Sequence, residues 1–297
     1  MKSILNISLM AFMVISLSLS SCKKNDNAET DDDTAAQMQQ SSDESLMQNE
    51  SENSLDEVNV AVSGSTFGKT GTIAGATIVD SPSIKAVFIT YNGASADSKR
   101  MRVGEVKVQL VTGNNWGEAG AQIRITYTNL RITQVSSGKS ITLNGYHLIT
   151  NVTGGRAFVS ATVTHTVRGE MQLSFDNATS RSWQVARRRV VNWANGNYDV
   201  TISGDTTVLG LTNIVVWGTN RNGNEFYTQI AQPIVFNSIC PGKPVSGQKV
   251  HKKLVREITV TFGVDVTGNP VSGTCPYGFK ISWTNARNVN KTAVISY

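Results

Sequence analysis

From about Phe67 to the C-terminus the chain alternates apolar and polar residues with a period of two. Val106-Lys107-Val108-Gln109-Leu110, Ile123-Arg124-Ile125-Thr126-Tyr127 and Ile258-Thr259-Val260-Thr261-Phe262 are the clearest runs. This period places alternate side chains on opposite faces of a strand. The polar partners are mostly Thr, Ser, Arg and Lys, so one face is buried and the other wet, as in antiparallel sheet. No helical period competes over any long window of this body. Roughly fifteen strands can be counted, separated by turn signals such as Asn144-Gly145, Gly154-Gly155, Gly169-Glu170, Asp176-Asn177 and Asn222-Gly223-Asn224. Asn144-Gly145, set between Ile141-Thr142-Leu143 and Tyr146-His147-Leu148-Ile149, is the strongest hairpin signal. The expectation is an all-β fold of antiparallel meanders and hairpins, sandwich-like or in one to two stacked units, with a possible subdivision near 150–156.

Charge divides the chain differently. The net charge of +5 over 297 residues is the sum of opposing parts. Residues 23–57 carry a net −9, and 58–297 carry +13. The acidic part is rich in Ser, Gln, Asn and Asp and has no aromatic residue. By itself it buries too little apolar area to offset its ordering entropy, so it reads as a solvated, flexible tether over 22–57. Met38, Leu46, Met47, Leu55 and Val58 could support a short amphipathic helix late in it. The acidic segment could also fold back on the basic body and screen it.

The first residues combine a positive start, Met1-Lys2, with an apolar run from Ile4 to Leu19. The run is about as long as a signal peptide and short for a span of a ~30 Å hydrocarbon core. It ends Leu19-Ser20-Ser21-Cys22, which resembles the lipobox of a bacterial lipoprotein signal peptide. That resemblance implies cleavage after residue 21, acylation of Cys22, and anchoring in a lipid bilayer. Lys23-Lys24-Asn25-Asp26 is similar to the surface-export signal of Bacteroidota lipoproteins. Asp33-Thr34-Ala35 fits the O-glycosylation pattern of the same phylum, with Thr34 as acceptor. The chain as a whole resembles Bacteroidota surface lipoproteins through its Ser-Cys-Lys-Lys start, its acidic segment, Ile-Thr-Tyr-Asn-Gly at 89–93, Trp-Gly-Thr-Asn-Arg at 217–221 and Cys-Pro-Tyr-Gly at 275–278. The resemblance implies an outer-membrane, surface-exposed location and supplies no activity.

With Cys22 lipidated, Cys240 and Cys275 remain as an even pair in an oxidising compartment. A disulfide between them closes a loop of about 35 residues; two buried free thiols are the alternative. No Cys-x-x-Cys or paired-His spacing points to a metal, and no motif points to a cofactor. His147, His165 and His251 read as solvated or core histidines. No Gly-x-Ser-x-Gly elbow or phosphate-binding loop occurs, and no carboxylate pair stands out. Two features rise above background. Trp183 and Trp193 flank Arg187-Arg188-Arg189, with Arg187 and Arg189 on one strand face. Aromatic rings beside arginines suit sugars or anionic chains. Trp217, Asn220 and Arg221 belong to a polar, Gly-rich loop. These seven residues, Arg188 excluded, form the candidate ligand site.

The function expected is a membrane-anchored, non-enzymatic binding or structural module for a glycan or an anionic surface. A glycan-processing enzyme and an accessory subunit of an outer-membrane protein complex are the alternatives. Nucleic acid is disfavoured as a partner, because a lipid-anchored envelope protein meets it only outside the cell.

Overall fold

The computed structural model describes residues 28–62, 72–252, 257–285 and 287–297. One helix, α1 (Ala28–Val62), precedes fifteen strands. The first seven are β1 (Ala76–Ser81), β2 (Ala86–Ala94), β3 (Arg100–Thr112), β4 (Gln122–Gln134), β5 (Ser140–Asn151), β6 (Thr162–Phe175) and β7 (Ser180–Ala194). Next come β8 (Asn197–Gly204), β9 (Thr206–Val208), β10 (Leu211–Thr219) and β11 (Glu225–Asn237). The last four are β12 (Pro244–Lys252), β13 (Ile258–Val264), β14 (Gly278–Thr284) and β15 (Asn290–Ser296). The body is all-β and antiparallel, as the alternation predicts.

The strands form a single meandering sheet rather than two packed ones. Order follows the sequence from β1 to β7, continues through β10 and β11, and ends at β15. Two strands leave this path: β9 pairs only with β10, and β8 takes part in a shared lane. β7 pairs with β10 over Trp183–Val185 and with β8 over Arg187–Ala194. β11 does likewise on the other side. β8 and β10 thus lie end to end between two long strands. No boundary falls near 150–156, because β5 and β6 pair along Ile141–Asn151.

The sandwich is replaced because α1 supplies what a second sheet would have covered. Along β4, Ile123, Ile125 and Tyr127 are buried while Arg124 and Thr128 are exposed. Residues of β2, β3, β4, β7 and β12 turn side chains of this buried face toward α1. The helix touches Tyr91 and Arg102 on β2 and β3, and Lys249 on β12. Those lanes would lie about 38 Å apart in a flat sheet at ~4.8 Å per strand. A helix is only ~10–12 Å across with its side chains. The sheet must therefore curl around the helix. Consistently, no described side chain between Gln40 and Val62 is exposed.

The all-β body follows the N-terminal segment as expected; of that segment, residues 22–27 lie outside the described ones and Ala28–Val62 is helical. The acidic segment lacks the apolar area to fold alone, but the curled sheet offers it partners. Met47, Leu55, Val58 and Val62 are buried in the common core, while Met38 stays exposed. Cys22 lies outside the described residues. Thr34 falls on α1, and its side chain is outside the described ones.

The Asn144-Gly145 hairpin is also corrected, since both residues lie inside β5. Gly145 has φ +132°, and a Cβ there would collide with the carbonyl oxygen of Glu170 on β6. Opposite it, β4 shifts register between Tyr127 and Leu130. The glycine permits a bulged close approach of three strands instead of a turn. Gly169-Glu170 is likewise interior, within β6. Asp176-Asn177 and Asn222-Gly223 are turns as expected.

Cys240 and Cys275 are disulfide-bonded, with Cα atoms 5.3 Å apart. The bond ties the loop after β11 to the loop between β13 and β14. Nearby, Phe262, Phe279 and Tyr297 pack as a tilted aromatic row.

Candidate functional site

The centre of β7 reads Arg181-Ser182-Trp183-Gln184-Val185-Ala186-Arg187-Arg188-Arg189. Strand alternation sends Arg181, Trp183, Val185, Arg187 and Arg189 inward, and each is about 1% exposed. Arg188 points out and is exposed. Arginine is rarely buried without a partner. Here the partners come from α1, whose 1.5 Å rise and 100° turn distribute its carboxylates around and along the sheet.

Glu52 takes both inner arginines, with Oε1 2.9 Å from Arg187 and Oε2 2.9 Å from Arg189. Ser51 Oγ accepts a further hydrogen bond from Arg187 at 2.7 Å. Two turns earlier Glu44 pairs with Arg181. Asp43 receives a bidentate contact from Arg221 on the turn after β10, at 2.6 and 2.7 Å. Toward β3, Glu50 pairs with Arg100, and Glu57 with Arg102 at 2.8 Å. Tyr91 on β2 donates to Glu57 at 2.7 Å, and Tyr127 on β4 shares a hydrogen bond with Ser54.

Aromatic rings back most of these cations from the sheet side. Arg221 lies 3.3 Å from the Phe175 ring centroid, Arg102 4.4 Å from Tyr91, Arg181 4.6 Å from Phe226, and Lys249 5.2 Å from Phe262. Each of these cations except Lys249 is thus held between a helix carboxylate and a sheet aromatic. Lys249 meets the amide oxygen of Gln48 at 3.4 Å instead.

Burial and these charges reshape the titration of the interior. Desolvation, with help from Arg187 and Arg189, pushes His147 and His165 down to about 3. His251 is held well below its ordinary value by burial beside Lys249 and Arg181. All three imidazoles are therefore neutral core residues. Desolvation lowers Lys249 to about 8, against a partial opposing pull from Glu44. Burial raises Glu50, although Arg100 and Arg102 draw it the other way. Tyr127 is pushed up to about 12, again chiefly by burial.

Of the seven candidate residues, Trp183, Arg187, Arg189 and Arg221 converge on the interior around α1. The other three do not join them. Trp193 lies near the end of β7, half-buried, stacked on Tyr198 at 6.5 Å and edge-on to Phe158. Trp217 pairs with Gln184 and stands on the outer face. Asn220 folds its side chain into its own turn, accepting from Asn222 and Asn224. There is no coplanar row of exposed tryptophans, because Trp116, Trp183 and Trp283 are buried.

Arg181, Lys249, Arg100 and Arg102 escaped the sequence reading, as did the helix carboxylates. Arg181 shares the parity of Arg187 and Arg189, which is the signal that could have found it. Among the described residues no group of three His, Cys, Asp or Glu side chains could hold a metal ion. No protein-family model, curated protein or solved structure matches this chain.

Proposed function

We propose that the protein is a lipid-anchored surface module of the bacterial outer membrane that binds an anionic surface or glycan without chemistry. One observation carries the reading. Asp43, Glu44, Glu50, Glu52 and Glu57 of α1 are paired with inward-facing arginines, so these acids do not screen the arginines on the outer face. Arg124, Arg131, Arg168 and Arg188 are exposed on the outer face of β4, β6 and β7. Arg131 and Arg168 have carboxylate neighbours in Asp176 and Asp205. Arg124 lies over the Tyr146 ring at 3.9 Å, a pairing suited to an acidic sugar.

The anchor fits this arrangement. Helix α1 begins six residues after Cys22, a stretch reaching at most ~20 Å. Acylation of Cys22 would hold the sheet close to the bilayer, with its basic face directed at the surrounding anionic layer.

The experiment has two arms. Labelled fatty acid should enter the wild-type protein and not the Cys22→Ala variant, and protease applied to intact cells should degrade it. An array of acidic and neutral glycans should then show salt-sensitive binding to the acidic ones, weakened by Arg124→Ala plus Arg188→Ala. Binding to none, or cleavage of any oligosaccharide in the mixture, would reject the binding-module reading.

A further inference from the structure

Helix α1 fills the interior as a ligand fills a site. Its described contacts are dominated by carboxylate–arginine pairs, and it contributes no hydrogen bond to the sheet ladder, whose strands pair with one another throughout. It precedes every described strand and is joined to β1 by residues 63–75, so its departure would break no described strand pairing. Removing it would instead uncover a lane of basic side chains on β7, β12 and the turn after β10.

That lane is incompletely matched by its present occupant. Arg181 and Lys249 are both about 1% exposed, and both draw on the carboxylate of Glu44. Among the described residues, Nε and Nη1 of Arg181 have no hydrogen-bond partner, and Asp43 makes a longer ion pair with Nη1 at 4.0 Å. Among the described residues, the hydrogen-bond partner of Lys249 is the amide oxygen of Gln48, at 3.4 Å. A buried cation offered one long contact to a neutral group is poorly stabilised. A helix with an acid at the place of Gln48 would complete the lane.

We propose that this interior lane is a docking site for an acidic helical segment of a partner protein, with α1 as its built-in occupant. The lane matches a helix better than an acidic polysaccharide. Its cations meet the carboxylates of Glu44 and Glu52, about two helical turns apart, and the same helix buries Met47, Leu55, Val58 and Val62, which a sugar chain cannot supply. Exchange resembles the swapping of a terminal element between chains, which costs little because every contact is remade. The proposal goes beyond the outer-face binding reading and depends on neither the anchor nor the outer arginines.

The test uses the full-length chain and a synthetic peptide of residues 38–62. While α1 occupies the site in cis, apparent affinity is reduced by the small open fraction, so wild type should bind the peptide weakly. Glu44→Gln with Glu52→Gln loosens α1 and should raise peptide affinity by about tenfold or more. A peptide carrying Gln48→Glu should bind tighter still, and one with its acids replaced by amides should not bind. In wild type, hydrogen exchange should open α1 well before β5–β7. Exchange of α1 only on global unfolding overturns the proposal, even if the loosened variant fails to fold. A folded loosened variant that ignores the peptide, dimerises instead, or takes an acidic polysaccharide equally well also overturns it. None of these outcomes bears on acylation or on glycan binding by the outer face.

Discussion

Two parts of the interior are built on opposite principles. Around α1 the sheet buries arginines, a lysine and three histidines, and charge pairs backed by aromatic rings join the helix to it beside the apolar contacts of Met47, Leu55, Val58 and Val62. At the C-terminal corner β13, β14 and the chain end bury Phe262, Ile281, Phe279 and Trp283, closed by the Cys240–Cys275 bond. Desolvating an ion pair costs several kcal/mol per charge, which attraction recovers only with good geometry. Apolar burial carries no such condition. The first region should therefore respond to pH and to the loss of single charges, and the second to lost volume alone.

The largest expected effect is Glu52→Ala. It removes the carboxylate that two buried guanidiniums share and should cost about 3–5 kcal/mol in urea unfolding. A cost below 1 kcal/mol would mean that α1 does not hold these arginines. In the apolar corner, Phe279→Ala should cost about 3 kcal/mol through the cavity it leaves, by the same measurement and equally at pH 5 and pH 7.

Acid should separate the regions next. His147 and His165 are neutral in the folded chain to about pH 3. The unfolded chain binds their protons near pH 6.5, so lowering pH favours unfolding across the window from 6.5 to 3. At pH 5 each should cost about 2 kcal/mol relative to pH 7. Glu50 acts in the opposite sense. Its raised value lets the native state take a proton first, which returns some stability as pH falls. The net fall should flatten in a variant with both histidines changed to Gln, followed by urea midpoints against pH. An unchanged slope would place the acid sensitivity elsewhere. The smallest effect belongs outside. Arg168→Ala removes an exposed pair with Asp205 and should change stability by under 1 kcal/mol.

Much of the fold was legible because strand alternation is a local property. Val106–Leu110 and Ile258–Phe262 each bury the face that their period marks. The disulfide was legible from cysteine parity. The Asn144-Gly145 turn was misread because a glycine serving a bulge and a glycine serving a hairpin leave the same dipeptide. At the site, Arg187 and Arg189 were assigned to one face correctly, and that face was taken as potentially wet. Nothing local says that a strand face bearing Arg181, Trp183, Arg187 and Arg189 is buried. Its burial depends on carboxylates more than a hundred residues away in the chain.

The sequence alone determined that the body is antiparallel sheet, that Cys240 and Cys275 can pair, and that an acidic segment precedes a basic one. Periodicity, parity and charge are all readable along a line. Only the tertiary structure decided that the two charged parts meet. The sheet curls because its buried face needs covering, and the acidic segment becomes helical because that interior offers arginines at helical spacing. Neither half carries the reason by itself. The ordering entropy of α1 is offset only where Glu44, Glu52 and Asp43 find their cations at once.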